Sequence, residues 1–307
     1  MKYTFTEDDF LDAPAQVLEP VRSSQPSMSY WKSVWKEFRK KPLSMCCLII
    51  LALLVLLCLV GPVLSPYDYI TNDYSSINLA PCSDHWFGTD ALGRDLWCRV
   101  WCGGRISLLI ALFATIIPKT IGMIVGGISG YFGGKVDTLI MRGIDILMGI
   151  PNMIYMVLFS LILGGGTVVT MIVVLSLIGW MGSARMTRGL IIQIRNRDYV
   201  RASEALGVSW ISIILRHLIP NTMGITLVSM VMSIPNAIFM EATLSFIGLG
   251  VLPPTPTWGQ LITDACDNIR YYPYQFIVPC IFLVITMLCC HLIADGLKDA
   301  LNPKGRS

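Results

Sequence analysis

The sequence predicts an all-α polytopic membrane protein with six transmembrane helices. Three observations carry that prediction. Hydrophobic residues make up 54% of the chain and charged residues only 14%, against about 25% charged in soluble domains. Several apolar runs reach the roughly 20 residues that a helix needs to cross a bilayer. Lys and Arg then fall mostly on one side of the resulting topology.

The first span, about 43–64, is an almost pure Leu/Ile/Val/Cys run. It begins after 42 residues and is too long for a signal-peptide core, so it reads as a retained anchor. The others fall at about 106–131, 138–163, 168–186, 223–249 and 276–293. Pro118, Pro151 and Pro235 lie inside spans. Neighbouring helices can cover backbone groups freed by proline in a membrane, so each is expected to kink its helix and not to end it.

Orientation follows from the basic residues. With the N-terminus inside, seven precede the first span, two lie around the connection of spans two and three, six around that of spans four and five, and three in the tail. The opposite side holds only Arg94, Arg99 and Arg270. The bias predicts both termini in the cytoplasm.

Residues 1–42 read as a cytoplasmic tail: 1–29 of mixed charge and poor order, then an interfacial helix over 30–42 with Tyr30, Trp31, Val34, Trp35 and Phe38 near one face. The first span is 43–64 and an extracytoplasmic loop is 65–104. A core domain of five transmembrane helices spans 105–303, including a cytoplasmic loop at 195–221, and 304–307 is a tail.

That loop carries the most information. Residues 199–221, YVRASEALGVSWISIILRHLIPN, form a polar and basic helix-prone cassette between two apolar spans. Gly207 can take a positive φ without steric cost and so end a first short helix. Ser209 can cap a second, with Ile211, Ile214, Leu215 and Leu218 at helical spacing. Pro220 is expected to stop it before span five. An ordinary amphipathic connector would show the same pattern, so the residues alone leave a docking element and a connector both open.

The stretch resembles the coupling loop of the inner-membrane subunits of bacterial ABC importers, whose pattern is E-A-A, three residues, Gly, nine residues, I-x-L-P. Gly207 and Pro220 take the Gly and Pro positions, Ala202 matches, Ser203 is a small substitute and Ile219 replaces Leu. Arg201 stands in place of the Glu and His217 in place of the Ile. Two further stretches are similar to the second membrane subunit of dipeptide and oligopeptide importers, a subfamily that includes nickel importers. Gly88, Thr89, Asp90, Gly93, Arg94 and Asp95 match its GTD-x-x-GRD before the second span. Glu241, Ala242, Leu244, Ser245, Phe246, Gly248, Leu249 and Gly250 match its EA-x-LSF-x-GLG closing the fifth, followed by Pro253, Pro254, Pro256, Trp258 and Gly259. Three motifs in the right order over about residues 30–303 make the chain similar to an oligopeptide permease C-like subunit.

The resemblance implies the ABC importer permease (MetI-like) fold. It implies a homologous second permease subunit, two ATPase subunits that bind ATP and Mg²⁺, an extracytoplasmic solute-binding protein, and a place in the bacterial inner or plasma membrane. The chain itself would bind no cofactor or metal and meet no nucleic acid. A short peptide, oligopeptide or dipeptide, is the expected cargo, with nickel or another small solute as the alternative. Residues 201–220 would dock on the ATPases.

Several residues keep two readings. Asp90, Arg94 and Asp95 form either a charged platform near the pore mouth that touches a binding protein or a locally paired loop closing over the spans. Glu241, inside span five with Ser245 and Phe246 beside it, lines or gates the path or is a hydrogen-bonded brace between subunits, since an ionisable group in a span usually faces protein or water. Ser245, Phe246, Gly248 and Gly250 suit close helix packing. Asp145 is expected to pair with Arg142 on one helix face.

Six cysteines (Cys46, Cys47, Cys58, Cys280, Cys289, Cys290) sit in the first and last spans as small hydrophobes. Cys82, Cys98, Cys102 and Cys266 lie toward the outer side. A Cys82–Cys266 disulfide is compatible with that placement, but spacing assigns no connectivity. His85, His217 and His291 are scattered and form no ligand cluster. The sequence has no Gly-x4-Gly-Lys-Ser/Thr phosphate loop, so ATP hydrolysis would fall to another polypeptide. An ion-coupled secondary transporter would need mid-membrane carboxylates, for which Glu241 and Asp145 are the candidates. An intramembrane enzyme would need a catalytic cluster that the sequence does not contain.

Overall fold

The computed structural model describes residues 30–301. The readings for 1–29 and for the 304–307 tail lie outside the described residues. Those described form helices α1 (Tyr30–Phe38), α2 (Pro42–Leu64), α3 (Leu96–Phe132), α4 (Gly134–Met148), α5 (Asn152–Ile162), α6 (Val168–Ile194), α7 (Asp198–Ala205), α8 (Trp210–Ile213), α9 (Ile219–Phe246), α10 (Trp258–Cys266) and α11 (Pro273–Leu301). A π-helical turn, Ile214–Leu218, joins α8 to α9. Among the described residues the only β pairing is two isolated bridges.

Five helical units are long and apolar enough to cross a membrane: α2, α3, α6, the joined α8–α9 unit and α11. The expected third span is a broken pair instead, α4 and α5, bent by 84°. Gly149 caps α4, and Pro151, with φ −55° and ψ 131°, is the extended residue that starts α5. Proline also drives the residue before it out of the α region. At eleven residues, α5 is about 17 Å long, too short to cross a hydrocarbon core of about 30 Å. Pro151 therefore ends a helix, whereas Pro118 and Pro235 lie inside the continuous helices α3 and α9.

Helix α3 begins ten residues before the expected span, because Asp95 caps it by accepting from the Cys98 N–H at 2.9 Å. Its 37 residues give it about 55 Å of length, enough to join the 65–95 loop at one end to the cassette at the other. It packs on α6 through a glycine face. A Cβ on Gly126 would lie 2.3 Å from the Ala184 carbonyl oxygen, and on Gly122 2.4 Å from the Ser183 Cβ. Gly130 meets Ile191 in the same way at 2.9 Å. Lipid tails are as apolar as side chains, so membrane helices are held by such close backbone approach. Gly126→Leu is accordingly expected to destabilise the detergent-solubilised protein by about 1–3 kcal/mol or more. Gly143→Leu, where an added Cβ meets nothing within 4 Å, is expected to leave the melting temperature unchanged.

Near the 65–95 end, an aromatic cluster ties α3 to α2 and α11. Trp101 stacks at an angle on Phe282 (4.6 Å) and Trp97 (5.5 Å). Gly61 lets the Trp101 ring lie against α2, where a Cβ would come within 2.6 Å. At the opposite end, α1 buries Val34 and Phe38 against α2 and α11, while Trp31 and Trp35 remain exposed. Tertiary packing thus splits the expected interfacial face of α1 in two.

Candidate functional site

The cassette is built as the sequence predicts at its turn and differently at its second helix. Helix α7 ends at Gly207, whose φ is +75° and whose N–H donates to the Glu204 carbonyl at 2.9 Å. Ser209 stands at the N-cap of α8 but makes no side-chain capping bond. Pro220 does not stop the helix. It lies directly after the π turn inside a continuous helical unit, and the Ile219 N–H reaches back to the Ile214 carbonyl to close that turn.

That extra residue in the turn sets which faces are buried. Ile213, Ile214 and Leu218 pack with Val200 and Ile191 in a small core. Ile211 and Leu215, expected beside them, are about half exposed, as is Trp210, and Leu206 is 83% exposed. Arg201 and Ala202 are exposed, and Ser203 spends its hydroxyl on the Tyr199 carbonyl at 2.8 Å. His217 contributes its carbonyl to Asn221 at 2.5 Å and Ile219 is half-buried. The cassette is anchored underneath: Arg195 donates to the Gly130 and Tyr131 carbonyls at the end of α3, and Arg188 forks onto Asp137 of α4. The anchored elbow therefore presents an apolar face with charged residues around it, Arg197, Arg201 and Arg216 together with Asp198 and Glu204.

At the other end, the motif over 88–95 is a self-paired loop. Thr89 is fully buried, its hydroxyl donating to the Ser76 carbonyl and accepting the Leu79 N–H. Gln275 of α11 donates to the Thr89 carbonyl at 2.8 Å. Gly88 and Gly93 have φ of +80° and +76°, and a Cβ on Gly93 would lie 1.7 Å from the Asp73 carbonyl oxygen. Asp90 accepts from the Leu92 and Arg94 N–H groups and pairs with the Arg94 and Arg99 guanidiniums. Asp95 pairs with His85 at 2.9 Å. Since Arg94, Asp95 and Thr89 are buried, the geometry fits the loop that closes over the spans, not an exposed platform.

Burial alone would raise the Asp90 pKa, but Arg99 and then Arg94 outweigh it and hold the carboxyl below its ordinary 3.8. Asp73, whose carboxylate accepts from Ser75 and Ser76, is also lowered, while burial raises Asp264. A lowered folded-state pKa gives stability that is present above the unfolded value and lost as pH falls through the folded one. Hydrogen-exchange protection of residues 76–96 is expected to hold from neutrality to about pH 4 and to fall below it. Asp264 works the other way, since protonating it on acidification relieves its burial.

Glu241 is fully buried and bonded to Thr257 (2.7 Å), Ser245 (3.0 Å) and Ser107 (3.3 Å). It knots α9, α3 and the start of α10 within this one chain, and Gly259 leaves room for it, its Cβ position lying 3.1 Å from the carboxylate. This geometry fits a brace, internal to the chain and not between subunits. Phe246 is 64% exposed, and Gly248 is a turn residue with φ +81° and open space around it. Gly250 alone of that pair makes the expected close approach, against Ser245. Asp145 pairs with Arg185 of α6, not with Arg142. All ten cysteines are free, Cys82 and Cys266 included, and no described group of three His, Cys, Asp or Glu can hold a metal.

Sequence reasoning missed one feature. A cavity of about 390 Å³ lies between α3, α5, α6 and α9, with Thr115, Lys119, Asn152, Ser233 and Asn236 among its walls. The polar residues come from three helices, α3, α5 and α9, with no shared local motif. Only Lys119, a lone cation inside a span, could have marked it.

Helices long and apolar enough to cross a membrane, an exposed helical elbow at one end and a sealed loop at the other are the architecture expected of a permease subunit. Residues 122–307 match the family described as binding-protein-dependent transport system inner membrane component. Residues 29–81 match the N-terminal TM domain of oligopeptide transport permease C. The chain belongs to the family of binding-protein-dependent transport system inner membrane components. It is 40% identical to the oligopeptide transport system permease protein OppC of Bacillus subtilis over 97% of both chains. It is 41% identical to the dipeptide transport system permease protein DppC of the same organism, over 92% of this chain and 88% of the relative. Identity to OppC of Escherichia coli is 36%, over 91% and 92%.

Proposed function

We propose that this chain is the permease subunit of an ATP-driven importer for short peptides, forming half of the translocation route and coupling it to separate ATPase subunits. The observation that carries this is the cassette: Leu206, Trp210, Ile211 and Leu215 stay exposed around the Gly207 turn while Ile213, Ile214 and Leu218 fix it to the bundle. An exposed apolar patch of that kind, rimmed by polar residues, marks a protein–protein contact. The names of the relatives support peptides as cargo.

Both termini face the cytoplasm in this reading, so the cassette meets the ATPases and the 65–95 loop faces a solute-binding protein. ATP and Mg²⁺ are held by the ATPase pair. Closure of that pair would push two coupling elbows together, one from this chain and one from a homologous permease subunit. Because the elbow continues through the π turn into α9 without a break, its displacement would travel directly into a spanning helix. Hydrolysis would reset the cycle.

Purification of the detergent-solubilised chain from its native membrane, with ATPase activity measured on what co-purifies, tests the reading. Recovery of ATP-hydrolysing subunits, lost when residues 201–220 are replaced by a flexible linker, is the expected result. A stable lone protein without ATPase activity would overturn it.

A further inference from the structure

One cation, Lys119, is placed inside the bundle, on α3. Lys119 lies thirteen residues from the end of α3, so its Cα is about 20 Å inside the helix. A charged side chain at such depth is costly unless it meets water, a counter-ion or protein dipoles. No described carboxylate pairs with Lys119; its hydrogen bond goes to the Ser229 hydroxyl at 2.5 Å. A hydroxyl supplies a dipole, not a compensating charge. Lys119 is among the residues that line the 390 Å³ cavity, and Ser229 lines the neighbouring cavity along α9.

The surroundings are also unfinished. Thr115 is 3% exposed, lines the same cavity, and its Oγ1 makes no hydrogen bond. Asn152 and Asn236 are exposed at membrane depth in the lone chain, where an amide facing lipid would be unfavourable. They need water, a partner helix or polar cargo against them there. A second cavity, of about 680 Å³, shares Ser233 and Asn236 and runs on along α9 to Lys298 and Asp299 near the end of α11. The two cavities thus adjoin at Ser233 and Asn236, and the second carries polar groups at both ends with Ile225, Val228 and Met232 between them. No Asp or Glu lines the first.

We propose that Lys119 holds the carboxylate of a peptide in transit, with Thr115, Asn152, Ser233 and Asn236 supplying hydroxyl and amide groups around it. This rests on the peptide-importer reading above. The chemistry favours an anion-bearing cargo. In a partly desolvated cavity one fixed positive charge attracts a carboxylate and repels a free divalent cation more strongly than it would in water. Hydroxyls and amides can in turn match the donors and acceptors of a peptide backbone. A single ammonium also binds as a mobile point charge, which suits a site that must release what it holds.

The test uses the complete complex in proteoliposomes with its solute-binding protein. Uptake is compared for a tripeptide with a free C-terminus and for the same tripeptide as its C-terminal amide. Affinities of the binding protein for both are measured separately and divided out. The remaining preference for the free carboxylate is expected to fall about tenfold in Lys119→Met, the size of a charge-assisted hydrogen bond. Lys119→Arg keeps the charge and is expected to stay within about twofold. Thr115→Val, nearly isosteric, is expected to shift the ratio in the same direction by a smaller factor. An unchanged ratio in Lys119→Met overturns the assignment while leaving the importer reading intact. Loss of the second permease subunit from the purified Lys119→Met complex would show that Lys119 pairs with a partner carboxylate, and also overturns it. A wild-type complex that hydrolyses ATP but takes up neither peptide removes the peptide reading and this inference together.

Discussion

Gly207→Pro is expected to leave the chain inserted in the membrane and to abolish ATP-driven uptake. Gly207 has φ +75°, and proline is locked near −65°, so the turn between α7 and α8 cannot form as it stands. The substitution also removes the N–H that bonds to the Glu204 carbonyl. Insertion depends on the apolar spans and not on this turn, so the protein should still accumulate. What changes is the relative placement of Leu206 on one side and Trp210, Ile211 and Leu215 on the other, the four exposed side chains of the elbow. Gly207→Ala separates geometry from mere substitution. Its Cβ meets nothing within 4 Å, leaving only the left-handed backbone cost of roughly 1–2 kcal/mol, and partial uptake is expected. Uptake and membrane content of both variants, measured side by side in cells, decide the matter. Normal uptake by a well-expressed Gly207→Pro would remove the coupling role from this loop.

The elements read most directly from the sequence are those whose cause is local. Apolar runs placed α2, α6, α9 and α11, and the glycine at 207 placed the end of α7, because hydrophobic length and a positive φ are both properties of a short window. The errors have non-local causes. Ile211 and Leu215 share helical spacing with Ile214 and Leu218, but the π turn at Ile214–Leu218 rotates the face, and the neighbours Ile191 and Val200 that select Ile213 come from other elements. Pro151 looked like Pro118 and Pro235 in sequence. It differs in following Gly149, so cap and proline act together and the chain turns by 84°. Asp145 had Arg142 close along the chain, yet its partner Arg185 lies forty residues away. The 88–95 motif was visible as residues and ambiguous as a role, since only packing against Gln275 and Asp73 shows it to be sealed. The cavity around Lys119 was invisible because it is assembled from four helices.

Asp90→Asn is expected to cost the loop over 66–95 about 3–5 kcal/mol, the range for removing one partner of a buried ion pair. The size follows from what is left behind. Arg99 is 1% exposed, and its Nε and Nη2 already lack hydrogen bonds. Asp264, the other carboxylate nearby, is 3.8 Å from Arg99 and about half exposed, so it cannot take over. Asparagine keeps the size of the side chain and its acceptor oxygen, which isolates the charge from the capping bonds to the Leu92 and Arg94 N–H groups. Hydrogen exchange in detergent should show faster exchange at the Asn78, Thr89 and Leu96 amides, which bond to Asp90, Leu79 and Gly88 carbonyls across the loop. The 198–218 cassette, some 50 Å away along α3 by helix length, should exchange as in the wild type. Asp264→Asn is the control: a half-exposed partner at that distance is expected to contribute less than about 1 kcal/mol. Equal loop protection in Asp90→Asn and wild type would show that hydrogen bonds from Thr89 and Gln275 hold the loop without the charge pair. Protection lost at both ends would mean instead that Asp90 supports the whole bundle, through the burial of Arg99 at the head of α3.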